Sequence, residues 1–71
     1  MADAIADFRA AIAADPRLEP AHHHLGLALA AVGQFAEAAR HLQTALQINP
    51  ANEGARRALD KLVAQLKGGR E

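Results

Sequence analysis

The sequence predicts an all-α chain of four short helices folded as antiparallel hairpins. Three observations carry that prediction: helix breakers at regular places, apolar residues spaced three and four apart between them, and a period of 34 residues along the chain. Pro16 and Pro50 each follow an acidic or amide residue, Asp15 and Asn49. Proline lacks the N–H that a helix interior needs and biases the residue before it out of the helical region. Gly33, followed by Gln34, is a third break of the kind that ends a helix, and Gly68-Gly69 is the last.

The first helix is expected from about Asp3 to Ala14. It carries Ile5, Phe8 and Ile12 on one face, with Asp3 as N-cap or first-turn acid. The second begins near Glu19, with Pro20 in the first turn, where a missing N–H is harmless. Its Leu25, Ala28, Leu29 and Val32 make an i, i+3, i+4, i+7 stripe. The third runs from about Phe35 to Ile48 and presents Phe35, Ala38, Leu42, Ala45 and Leu46. The fourth opens at Asn52 with Glu53 behind it, and Leu59, Leu62, Val63 and Leu66 repeat the stripe of the second. The short connections make neighbouring helices antiparallel.

Laid on itself with an offset of 34, the chain repeats in register. Pro16 falls on Pro50, Ala4 on Ala38, Ala11 on Ala45, Ala21 on Ala55 and Leu25 on Leu59. Phe8 falls on Leu42, Ile12 on Leu46, Leu29 on Val63 and Asp15 on Asn49. A two-helix unit recurring at this interval is the mark of a solenoid.

The residues His22-x-x-Leu25-Gly26-x-x-Leu29, then Ala38-x-x-x-Leu42, Ala45 and Pro50, are spaced as in the tetratricopeptide repeat (TPR) family, which the chain resembles along nearly its whole length. The resemblance implies a single module, residues 1–71, folded as a short right-handed solenoid. Residues 1–18 would be a second-helix half repeat, 19–52 a full repeat, 53–67 a capping helix and 68–71 a tail. Gly26 and Ala38 are small because the two helices of a hairpin cross closely there. Leu29 and Leu42 stand where the family often has aromatics, and His22 and Arg56 replace its large apolar residue. Asp60 occupies the position of the family's glycine, and with Lys61 and Lys67 it marks the last helix as a solvated cap.

Composition narrows the function. Of 71 residues, 19 are alanine, so the apolar fraction of 51% reflects good helix formers rather than bulk. Eight basic residues balance eight acidic ones, and no basic tract is available to neutralise phosphates, which speaks against nucleic acid and anionic membrane. There is no cysteine, hence no disulfide or thiolate chemistry. The longest apolar run, Leu27 to Val32, is far too short to span a bilayer. Acids at Asp3 and Asp7 stand where a signal peptide needs positive charge, so the expectation is a soluble chain, cytoplasmic by default, with no membrane insertion. With no serine, a single threonine (Thr44) and no phosphate-cradling glycine loop, an enzyme is not expected, and neither is a cofactor.

By the resemblance, the chain binds a protein or peptide on a concave face lined by first-type helices. The implied lining is His23, Leu27, Ala30 and Ala31 on the second helix and Arg57, Lys61, Ala64 and Gln65 on the fourth. Arg57 and Lys61, four residues apart, share a face and would favour an acidic peptide or a terminal carboxylate. The competing reading of these charges is ordinary solubilising surface. The lysine and asparagine set with which some members clamp a chaperone tail is missing, since Asn49 and Asn52 both fall in a loop. An alternative function is self-association, a homo-oligomer held through the N-terminal end, where Ile5, Phe8 and Ile12 would lack a covering helix. The run His22-His23-His24 is not expected to bind metal, because consecutive residues point about 100° apart on a helix and cannot converge. His22 is expected to pack, His23 and His24 to face the surface or groove, and His41 could in principle join one of them.

Overall fold

In the computed structural model, which describes residues 2–68, the chain forms α1 (Ala2–Ala14), α2 (Glu19–Ala31), α3 (Phe35–Ile48) and α4 (Glu53–Gly68). All four helices lie where the breakers and stripes place them, and Asp3 falls within the first turn of α1.

The period is written into the turns bond by bond. Asp15 N–H donates to the Ala11 carbonyl at 2.9 Å, and 34 residues on Asn49 N–H donates to the Ala45 carbonyl at 2.8 Å. Arg17 N–H donates to Asp15 Oδ1 at 3.1 Å, and Ala51 N–H to Asn49 Oδ1 at 3.2 Å. In both places the Asp or Asn side chain mimics a backbone turn around the following proline. The copies part at the next helix. Asn52 Oδ1 accepts from Ala55 N–H at 3.0 Å and caps α4, whereas Leu18 precedes α2 with no side-chain cap. There Pro20 in the first turn and Glu19 against the helix dipole stand in.

The α2–α3 turn is a Schellman motif. Gly33 N–H donates to the Ala30 carbonyl at 3.1 Å and Gln34 N–H to the Leu29 carbonyl at 2.9 Å. This closure needs a left-handed residue at position 33, where Gly33 has φ of 87°. Val32, expected on the apolar stripe, becomes the C-cap and is exposed.

Each helix packs on the next, and α2 also meets α4, so α2 and α4 form one layer while α1 and α3 form the other. An ion pair between Arg9 and Glu37 (2.8 Å) links α1 to α3. The described residues span 39 × 28 × 14 Å, a slab two helices thick. Its centre is the α2–α3 contact. Leu25, Leu29 and Leu42 are fully buried, with Ala38, Ala45, Ala55 and Leu62 around them. A Cβ on Gly26 would lie 2.7 Å from Leu42 Cγ and 3.2 Å from the Ala38 carbonyl oxygen. The helices therefore cross as closely as the small residues suggest. On α4 only half of the apolar stripe is used: Leu62 is buried and Leu59 half-buried, while Val63 (38%) and Leu66 (42%) are exposed.

Two substitutions test this core. Gly26→Ala should destabilise the fold by about 1–3 kcal/mol through overpacking. Leu42→Ala should cost about 2–5 kcal/mol through a cavity at the same crossing. Urea unfolding followed by helical circular dichroism measures both, and a neutral Gly26→Ala would mean the crossing is looser than described.

Candidate interaction surfaces

Two apolar grooves run beside α2 and share the exposed Leu27 (43%). The first, about 230 Å³, lies between α2 and α4. It brings together four residues named from the sequence: Leu27, Ala30, Lys61 and Gln65. Its lining also includes Phe35, Ala58 and the core residues Leu42 and Leu62, which sequence reasoning had not placed in a groove. Ala58 and Leu62 come with Lys61 and Gln65 on successive turns of α4, a spacing that could have revealed them.

The remaining expected residues fall elsewhere. Arg57 is one turn before Lys61 but leans back toward Glu53, 4.0 Å away, with both side chains largely exposed. Such an exposed pair contributes little to stability, and Arg57 does not line the groove. Ala64 is exposed on α4 and lines neither groove. Ala31 lines the second groove instead of the first. His23 departs most from expectation. It is half-buried, its Nδ1 lies 3.3 Å from Asn52 Nδ2, and its Cε1 would be 3.1 Å from a Cβ on Gly54. Asn52 also donates to Glu19. His23 is thus part of the joint that holds the starts of α2 and α4 together, rather than a basic wall of the groove.

The second groove, about 330 Å³, lies between α1 and α2 and is lined by Ala4, Ile5, Leu27, Ala28, Ala31 and Val32. Ile5, Phe8 and Ile12 are half-buried because each packs against the core, and Phe8 also stacks on His24 with ring centroids 5.7 Å apart. The three residues named for self-association therefore already spend much of their apolar surface within the chain.

A third, open depression of about 430 Å³ holds the one buried polar side chain among the described residues. His22 (6% exposed) places Nε2 2.8 Å from the Pro16 carbonyl oxygen and Nδ1 3.1 Å from His41 Nδ1. A carbonyl only accepts, so His22 carries its proton on Nε2, and with both rings neutral its Nδ1 accepts from His41 Nδ1–H. The rings stack with centroids 5.3 Å apart. Burial, then the neighbouring His22, holds the His41 pKa below its ordinary value of 6.5. Glu37 opposes that shift, and Arg9 and Arg40 add to it. Two imidazole nitrogens converge here, but among the described residues no group of three His, Cys, Asp or Glu side chains is placed to hold a metal ion.

This geometry of two helix layers, a small-residue crossing and turns repeated at 34 residues agrees with the comparisons with known proteins. Residues 20–52 match the family described as tetratricopeptide repeat. The chain carries a tetratricopeptide repeat. A repeat of this kind points to a protein–protein interaction module, and among the described residues no helix is long and apolar enough to cross a membrane. Over 47 residues, 66% of the chain, it is 43% identical to anaphase-promoting complex subunit 7 of Arabidopsis thaliana. The chain spans about 8% of the length of that relative. No solved structure matches it.

The His41 shift has a consequence for stability. A histidine whose pKa is lowered by folding favours the folded state while neutral, so its contribution is complete above about pH 6.5 and is lost as pH falls below that value. Urea unfolding at pH 7.5, 6.5 and 5.5 should show stability declining at the acid end. The decline should be smaller in His41→Gln, whose amide can still donate to His22 Nδ1; an equal decline in both would assign it to other groups.

Proposed function

We propose that this repeat binds a protein or peptide partner along the groove between α2 and α4, with acidic character in the ligand opposite Arg57 and Lys61. The observation that carries the reading is the composition of that groove. Its floor is apolar, formed by Leu27, Ala30, Ala58 and Leu62, and its rim on α4 is Lys61 and Gln65. Leu27 is a large apolar side chain left to solvent in a chain of only 71 residues, and burying it against a ligand would add favourable transfer energy. Lys61 forms no ion pair among the described residues, and Arg57 holds only a weak one. Both are ready to make charge-assisted hydrogen bonds to a carboxylate. The described residues form a slab 14 Å thin whose grooves lie open to solvent, a shape suited to binding a partner at the surface.

The test uses a panel of fluorescein-labelled acidic peptides and fluorescence anisotropy. Arg57→Glu with Lys61→Glu should weaken binding by about tenfold or more, roughly 1.4 kcal/mol. Leu27→Asp should weaken it similarly by removing the apolar floor. Affinity unchanged by the charge reversal would take Arg57 and Lys61 out of the reading.

A further inference from the structure

Taking the α2–α4 groove as the peptide site, we propose that its ligand is an extended segment carrying an apolar, an acidic and a basic residue at alternate positions. Glu53 is the residue that selects the basic one. This ligand chemistry rests on the reading of that groove as the binding site.

The groove runs along its two helices. The starts of α2 and α4 lie together, because Asn52, just ahead of α4, donates to Glu19 and meets His23 on α2. Along α4, Glu53, Arg57, Lys61 and Gln65 follow one another at intervals of four and climb one side of the helix. Lys61 and Gln65 line the apolar groove, while Arg57 and Glu53 continue its rim toward the start of α4. From the groove outward the rim therefore runs neutral, positive, positive, negative. Glu53 Oε1 lies 4.0 Å from the Arg57 guanidinium, and Glu19 stands at the same end.

That order of charge specifies the ligand. A single carboxylate above the apolar floor meets Lys61 and Arg57. A second carboxylate one turn further on would meet Glu53 and Glu19 and be repelled. A lysine or arginine there would instead pair with Glu53 and release Arg57 to the ligand's acid. The rim thus discriminates against a run of acids while accepting one. The space between the helices, about 230 Å³, admits a side chain but not a second helix, which is about 10 Å across. An extended strand fits the spacing as well. Four residues of α4 rise about 6 Å, and two residues of an extended chain cover about 6.6 Å on one side.

The probes are fluorescein-labelled glycine-serine peptides carrying leucine, aspartate and lysine at alternate positions, made in both chain directions. Each is titrated against the full chain by anisotropy. In the tighter direction, replacing the peptide's lysine by aspartate should weaken binding about threefold or more, a contrast that fades at high salt. Glu53→Gln should abolish the preference, and Glu53→Lys should reverse it. Glu53 is exposed at a helix start, so circular dichroism of both variants should match that of the unaltered chain. Three outcomes overturn the proposal while leaving the groove reading in place, provided Arg57→Glu with Lys61→Glu still weakens binding. They are equal affinity for the lysine and aspartate peptides, a lysine preference that survives Glu53→Lys, or tighter binding by peptides with the same residues at helical intervals of four. Saturable binding by none of the peptides overturns both the proposal and the reading on which it rests.

Discussion

The close crossing of α2 and α3 at Gly26 is the constraint on which the rest of the structure depends. With only two phenylalanines and 19 alanines, the chain cannot build a core from bulk. It must build one from proximity, because dispersion contacts fall off steeply with a gap of even half an ångström to one ångström. Gly26 allows Leu42 and the Ala38 backbone to approach, and Leu25 and Leu29 on either side then become fully buried. The Schellman turn at Gly33 serves the same crossing from one end, since it ties Gln34 back to Leu29 at the edge of the core. From the other end His22 bridges α2 to His41 of α3 and to the Pro16 carbonyl.

With α2 held at the centre, its outer residues are shared among neighbours. Leu27 lies between two grooves, one toward α4 and one toward α1. The two sides differ in chemistry because the helices that flank them differ. The α4 side offers Lys61 and Gln65 at the rim, while the α1 side offers Ala4 and Ile5. A repeat can therefore present two unlike surfaces from one central helix, and the charged strip of Arg56 and Asp60 leaves the far side of α4 to solvent.

The three consecutive histidines show how a helix assigns different work to identical side chains. Successive residues turn by about 100°, so the three side chains leave the α2 backbone in different directions, although the His23 and His24 rings swing together and stack with centroids 5.3 Å apart. His22 points into the α2–α3 contact and is buried. His23 points toward the start of α4 and meets Asn52 and Gly54. His24 stacks on Phe8 of α1. Each histidine joins α2 to a different helix, and among the described residues no group of three His, Cys, Asp or Glu side chains is placed to hold a metal ion.

By itself the sequence determined the backbone: the four helices, the turns at Pro16 and Pro50, the stop at Gly33 and the register of 34. Those outcomes depend on caps, prolines and glycines that act within a turn of where they stand, and on stripes that a single helix displays. The need for a small residue at Gly26 was legible too, because the spacing of the repeat carries it. Only the tertiary structure decided which side chains remain free. His23 was a groove candidate until Asn52 and Gly54, about 30 residues away, drew it into a joint. Ile5, Phe8 and Ile12 read as an uncovered face until α2 took half of it. Ala31, one residue from Ala30, fell into a different groove because α1 and α4 flank α2 on opposite sides. A side chain's partners come from helices distant in sequence, and no local pattern encodes which of them arrives.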